Sequence, residues 1–149
     1  MTAMNNRRKE DRFPVLHEID EPIELAFNNE AVPGVLVDLS ATGMCILTFA
    51  SIAIGTDISM TVNLPGFKSK PLAGKVVWTI KKGEMFRTGI AFNSIDPLDF
   101  RHINRMGFDF TDCDTKLELG AKDVCFAKCS YFELCTKDEK LSSKNDSTA

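Results

Sequence analysis

Two short stretches of this 149-residue chain carry side chains suited to gripping a flat, anionic ligand. The first, Arg7-Arg8-Lys9-Glu10-Asp11-Arg12, places three guanidinium groups within six residues. The second, Asp38-Leu39-Ser40-Ala41-Thr42-Gly43, sets a carboxylate, a hydroxyl and a glycine at i, i+2 and i+5. Arginine presents a planar fork that matches phosphate oxygens or the O6/N7 edge of guanine, and it stacks on flat rings. A carboxylate accepts from N1–H and N2–H on the opposite edge of guanine. Taken separately, each stretch has an ordinary explanation. A basic run is commonly a solvated arm, and Asp38, Ser40 and Gly43 can simply organise a turn.

The remaining chemistry-bearing residues are less specific. Cys113, Cys125, Cys129 and Cys135 fall in the last third of the chain, whereas Cys45 lies inside a strand pattern and reads as core. Four thiolates can hold zinc tetrahedrally or an iron–sulfur cluster. The spacings match no strong metal motif, however, and the apolar neighbours Phe126, Tyr131, Phe132 and Leu134 suit a packed element. Structural thiols, a metal site and a redox sensor therefore stand as alternatives, and no metal is assigned. His17 and His102 have no nucleophile nearby in sequence and read as surface residues. Trp78 reads as core. No nucleophile elbow, zincin helix, P-loop or dinucleotide fingerprint occurs, so no catalytic residue is assigned.

The elements that must position these residues follow from periodicity. Residues 1–13 lack an apolar period and read as a flexible basic arm, with Pro14 limiting helix formation. Alternation then begins. Ile23, Leu25 and Phe27 share a strand face, and Asn28-Asn29-Glu30 turns the chain. Val35, Val37 and Leu39 share a face of a second strand, with Asp38 and Ser40 opposite. Met44 to Phe49 makes a third. Ile58, Met60, Val62 and Leu64 alternate along a fourth, ended by Pro65-Gly66. Leu72 to Ile80 and Phe86 to Phe92 flank the turn Lys81-Lys82-Gly83. Six short strands at this spacing predict an all-β domain, a small barrel or sandwich. Asp96 as N-cap and Pro97 at the first helical position open a helix. Its residues Phe100, Ile103, Met106, Gly107 and Phe110 present one apolar face. Residues 111–136 read as a small Cys-containing helical appendage, with a short helix over 122–132, and 137–149 as a disordered tail.

Composition bounds the rest. The 44% apolar share is enough for a packed core in one domain plus an appendage. Segment 7–12 carries four cations against two carboxylates, a local +2, so the remainder stands at −5 against a total of −3. A basic arm on an acidic body suits a compact anion and argues against a nucleic acid polymer. No apolar run approaches the ~20 residues of a membrane span, and the N-terminus lacks a secretory pattern. The protein is read as cytoplasmic and not membrane-spanning.

Arg8-Lys9-Glu10-Asp11-Arg12 is an RxxxR element, and Asp38 to Gly43 is a DxSxxG element about twenty-five residues on. With six strands, a terminal helix and the strand Arg87-Thr88-Gly89-Ile90-Ala91-Phe92, the chain over roughly 7–110 resembles the PilZ domain, a bacterial receptor module for cyclic di-GMP. The resemblance implies a six-stranded antiparallel split β-barrel with a C-terminal helix over 14–110. It further implies a non-catalytic receptor or adaptor with no cofactor, whose surface changes on binding cyclic di-GMP to regulate an unidentified effector protein in motility, biofilm formation or secretion. Arg8 and Arg12 would clamp phosphate and guanine, Asp38 would accept from guanine N–H groups, Ser40 would bond the ligand, and Gly43 would allow close approach. Arginine at position 7 would favour an intercalated ligand dimer. Two alternatives remain: a nucleotide-independent protein-interaction module, and a metal- or redox-responsive module run by the C-terminal cysteines.

Overall fold

The computed structural model describes residues 12–15, 23–126, 128–135, 137 and 140. Arg7, Arg8, His17, most of the arm and most of the tail lie outside the described residues.

Strands β2 (Ile23–Phe27) and β3 (Glu30–Ser40) form a hairpin in which Phe27 faces Glu30. Asn28 and Asn29 close it with φ of 50° and 62°. Left-handed backbone at both central positions is the turn that matches strand twist, and asparagine tolerates it best after glycine. The chain continues through β4 (Gly43–Thr48), β5 (Asp57–Met60), β8 (Leu72–Lys82) and β9 (Met85–Ser94). Neighbours pair antiparallel in the order β3, β2, β5, β8, β9, β4, and β4 pairs back to β3. Six strands thus close a barrel, which removes every free edge from the ring. A two-residue strand, β1 (Phe13–Pro14), adds to the far end of β3, with Phe13 opposite Leu39 and Pro14 opposite Asp38. The expected six-stranded barrel with a C-terminal helix is therefore present, with one extra strand.

The interior is apolar. Leu25, Leu36, Leu39, Met44, Ile46, Ile58, Val76 and Ile90 are buried together in it. Two strands depart from simple alternation. In β3 the expected face of Val35, Val37 and Leu39 is not formed, and Leu36 and Leu39 go inward instead. The cause is a register shift between Leu36 and Asp38 against β4. An extra residue in one strand resets which side chains face the core. The same occurs in β8, where the register against β9 shifts between Val76 and Trp78.

The expected fourth strand also breaks. Ile58, Met60, Val62 and Leu64 are all buried as alternation demands, but β5 ends at Met60. Asn63–Leu64 (β6) and Phe67–Lys68 (β7) then form a separate small hairpin. Ser69 staples this detour, its backbone N–H donating to Val62 O at 2.8 Å and its Oγ accepting from Val62 N at 2.9 Å.

Helix α1 (Pro97–Glu118) starts where expected, with Asp96 Oδ1 accepting from Leu98 N at 2.8 Å. Ile103, Met106 and Gly107 are buried, and Phe100 and Phe110 pack against the core, so the helix seals the barrel beside β1 and β3. It runs two turns past Phe110. Residues 111–118 are mostly polar and none is fully buried, which hides them from an apolar-period reading, and Lys116 pairs with Asp112 at 3.0 Å along that face. The helix ends at Leu119-Gly120, where Gly120 N donates to Leu117 O and Ala121 N to Lys116 O, a Schellman closure. The short helix expected over 122–132 is not formed among the described residues. That segment runs in turns and bends, with Asp123 at φ 56°, and its one helical piece is a 3-10 turn over Phe132–Leu134.

Candidate functional site

Asp38 is the centre of the site, and the bulge in β3 is what aims it. Leu36 and Leu39 both point inward, so the extra residue leaves Asp38 on the outer face of the barrel. Arg12, immediately before β1, reaches it across 26 positions of sequence, with Nη1 donating to Asp38 Oδ1 at 2.8 Å. The first basic segment and the acidic turn are thus adjacent in space. Both side chains stay partly open, at 27% and 28% exposure. Such a pair contributes only ~0–1 kcal/mol and exchanges readily for other partners. Arg12 Nε is buried with no hydrogen-bond partner among the described residues.

Register extends this site across the sheet. Asp38 faces Cys45 on β4, Cys45 faces Gly89 on β9, and Gly89 faces Trp78 on β8. Met44 and Ile46 enter the core, so Cys45 between them faces outward. It is only 3% exposed, buried as its reading as core expects, and it sits beside the barrel's main apolar cluster without being part of it. Burial pushes its thiol pKa up, Asp38 adds to that, and the Arg87 and Arg12 guanidinium groups oppose it, Arg87 also hydrogen-bonding to the sulfur. Asp38, Arg87 and Arg12 therefore all act electrostatically on Cys45 on this face.

Trp78 is half-exposed, a correction to its reading as core. Val76 goes inward and the bulge turns Trp78 out. Its indole occupies the space where a side chain on Gly89 would stand, and a Cβ there would collide with the ring. Gly89 is thus required by the tryptophan. An indole and an arginine on one face form a surface on which a flat ring system can stack. Arg87 and Trp78 were not assigned to the site from sequence. The hairpin register across Lys81-Lys82-Gly83 was the available signal for Arg87, but the bulge that exposes Trp78 has no local signature.

Ser40 and Gly43 do different work. Ser40 is buried, and its Oγ lies 3.3 Å from Thr42 N, Thr42 Oγ1 and Gly43 O, so it organises the turn. Gly43 is buried where β4 passes β9, and a Cβ there would run into the Ile90 carbonyl oxygen. The structure thus gives it a packing reason, and its φ is not in the left-handed region.

The four C-terminal cysteines lie elsewhere, around a cavity beside α1 that Asp109, Phe110, Val124, Tyr131 and Lys137 also line. No helix among the described residues is long and apolar enough to cross a membrane.

With this geometry in place, comparison with known proteins is informative. The sequence matches the PilZ domain over residues 6–109. The chain belongs to the PilZ domain family. Among solved structures it is similar to the Bacillus subtilis inhibitor of motility MotI/DgrA, with 13% identity, a TM-score of 0.58, and coverage of 71% of this chain and 52% of that one. It is also similar to Escherichia coli YcgR in complex with c-di-GMP, with 18% identity, a TM-score of 0.51, and coverage of 77% and 51%. This chain therefore spans about half of each of those proteins. No curated protein sequence matches it.

Proposed function

We propose that this protein is a cytoplasmic, non-catalytic receptor for cyclic di-GMP, bound on the barrel face that carries Asp38. The observation that carries the reading is the contact between the two motifs: Arg12 stands 2.8 Å from Asp38 although 26 positions separate them. Membership of the PilZ family supports the reading, as does the similarity to YcgR, whose structure is a complex with c-di-GMP. Arg12 then exchanges a weak ion pair for phosphate or guanine contacts, while Asp38 accepts from guanine N–H groups. Arg8 is the second clamp, and Arg87 and Trp78 extend the platform beneath a purine. Ser40 and Gly43 act through the turn that holds Asp38. Arg7 favours two stacked ligands.

The energetics suit a switch. Ordering a segment costs ~1–2 kcal/mol per residue, and each charge-assisted hydrogen bond returns ~1.5–3 kcal/mol. Several arginine contacts offset the ordering of a few residues, leaving a net of about 8 kcal/mol at micromolar affinity. The arm of residues 1–13 closes over the barrel of 14–110 and alters the surface offered to an effector. The solved structure of a motility inhibitor with the same fold makes motility control the first output to examine.

Calorimetry with cyclic di-GMP tests this directly. Binding is expected with two nucleotides per chain, and it should be lost in Arg12→Ala and weakened in Asp38→Ala. Wild-type binding in both variants would overturn the site.

A further inference from the structure

The cysteine-bearing segment has no role in the nucleotide reading, yet its side chains are arranged. Cys113 comes from the last turns of α1, and Cys125, Cys129 and Cys135 come from the irregular chain that follows. All four line one cavity of ≈ 20 Å³. Among the described residues that follow α1, the only regular structure is the 3-10 turn over Phe132–Leu134. Tyr131 anchors this segment in the apolar core, with Cys129 and Cys135 packed against it, and short irregular chains are commonly held further by a metal or a covalent staple.

One of the four sulfurs receives an N–H donor: Lys137 donates its backbone N–H to Cys135 Sγ at 3.5 Å, two residues earlier. The Lys137 side chain lines the same cavity, and its ammonium pairs with Asp114 at 2.6 Å. A neutral thiol is a weak acceptor, so a structural cysteine has little use for such donors. Metal-bound thiolates use them, because donors around the sulfur spread its charge. Lys140 adds a second cation, with Nζ donating to Cys135 O at 3.1 Å.

We propose that Cys113, Cys125, Cys129 and Cys135 bind one divalent ion of the zinc class as a tetrahedral four-thiolate site. Four thiols give up four protons to solvent as four metal–sulfur bonds form, leaving a centre of charge −2 beside Lys137, which also pairs with Asp114, and Lys140. The size of the cavity selects the ion: it has roughly the room of one water molecule, which suits a single atom and not a four-iron cluster. As placed, no three His, Cys, Asp or Glu groups among the described residues stand at metal-holding separations. Side-chain rotation therefore accompanies binding, and the irregular backbone leaves room for it. The ion closes the segment onto α1. Tyr131 carries that closure to the barrel, with its hydroxyl donating to Pro14 O at 2.6 Å and its ring edge-on to Phe13 and Phe110.

The test needs no nucleotide and stands or falls apart from the receptor reading. The full chain is purified anaerobically and its metals are quantified, then it is stripped and titrated with Co2+. One zinc per chain, and the intense visible bands of tetrahedral thiolate cobalt saturating at one equivalent, are expected. Cys129→Ser with Cys135→Ser should abolish both, while Cys45→Ser should change neither. Trp78 fluorescence reports whether the barrel stays folded in each variant. If the double variant unfolds, the cobalt titration of the unaltered chain decides alone. No bound metal together with no cobalt bands would overturn the proposal, as would iron with inorganic sulfide or a disulfide in place of the ion.

Discussion

The barrel face around Asp38 and the cysteine-bearing segment after α1 are built on opposite plans. The first is fixed by strand register. Five neighbouring positions, Pro14, Asp38, Cys45, Gly89 and Trp78, line up because four ladders place them so. The second, among the described residues, has no ladder and rests on a few aromatic contacts and several side-chain hydrogen bonds. A registered face can present rigid recognition groups without any ligand. An irregular segment is held by side-chain contacts, which leaves its groups freer to rearrange around a ligand. The two meet at β1, which pairs with β3 on one side and accepts Tyr131 on the other.

The sharpest way to break the comparison is to strip the registered face of its charge. Arg12→Ala should weaken cyclic di-GMP by ~100-fold or more, since each lost charge-assisted bond is worth ~1.5–3 kcal/mol. Calorimetry would show it, with thermal unfolding nearly unchanged because the ion pair it loses is weak. A packing lesion separates register from chemistry. Gly89→Ala should displace the Trp78 indole, costing ~1–3 kcal/mol of stability as overpacking does and shifting tryptophan emission. If emission is unchanged, the indole does not lie over that glycine. Next in size, Tyr131→Phe removes only the hydroxyl at Pro14 O and should cost ~0.5–1.5 kcal/mol, read as a lower melting temperature. The smallest effect belongs to neither region. Bonding to Leu98 N–H chiefly, with help from Lys70, holds the Asp96 carboxyl below its usual pKa. A depressed carboxyl stabilises the fold above its unfolded value near 4. That contribution fades as pH falls through the lower folded value. Asp96→Asn keeps a helix cap and should flatten this acid limb slightly in a pH series of melting curves.

Much of the registered region was legible in the sequence. Period-2 runs located the six barrel strands, Asp96-Pro97 located the helix start, and the apolar face from Phe100 to Phe110 was correct. Local signals sufficed there because burial on one side of a strand or helix writes itself into composition. The bulges were not legible. Val35, Val37 and Leu39 alternate convincingly, and only the pairing of β3 with β4 shows that Leu36 takes the inward place. Trp78 was misread for the same reason. The helix beyond Phe110 was hidden because Thr111 to Glu118 is mostly polar and carries no regular apolar period. Around the cysteines, sequence spacing favoured structural thiols over a metal centre without deciding between them, and convergence of the four on one cavity is visible only in three dimensions.

Strand β1 is two residues long, yet Pro14 faces Asp38 in the ladder while its carbonyl takes the Tyr131 hydroxyl. A slip of one residue would turn Phe13 out of the core and cost both attachments together. The root of the arm therefore has no intermediate setting. It is latched or released, and on the proposed reading a ligand pulling on Arg12 would act on a catch and not on a dial.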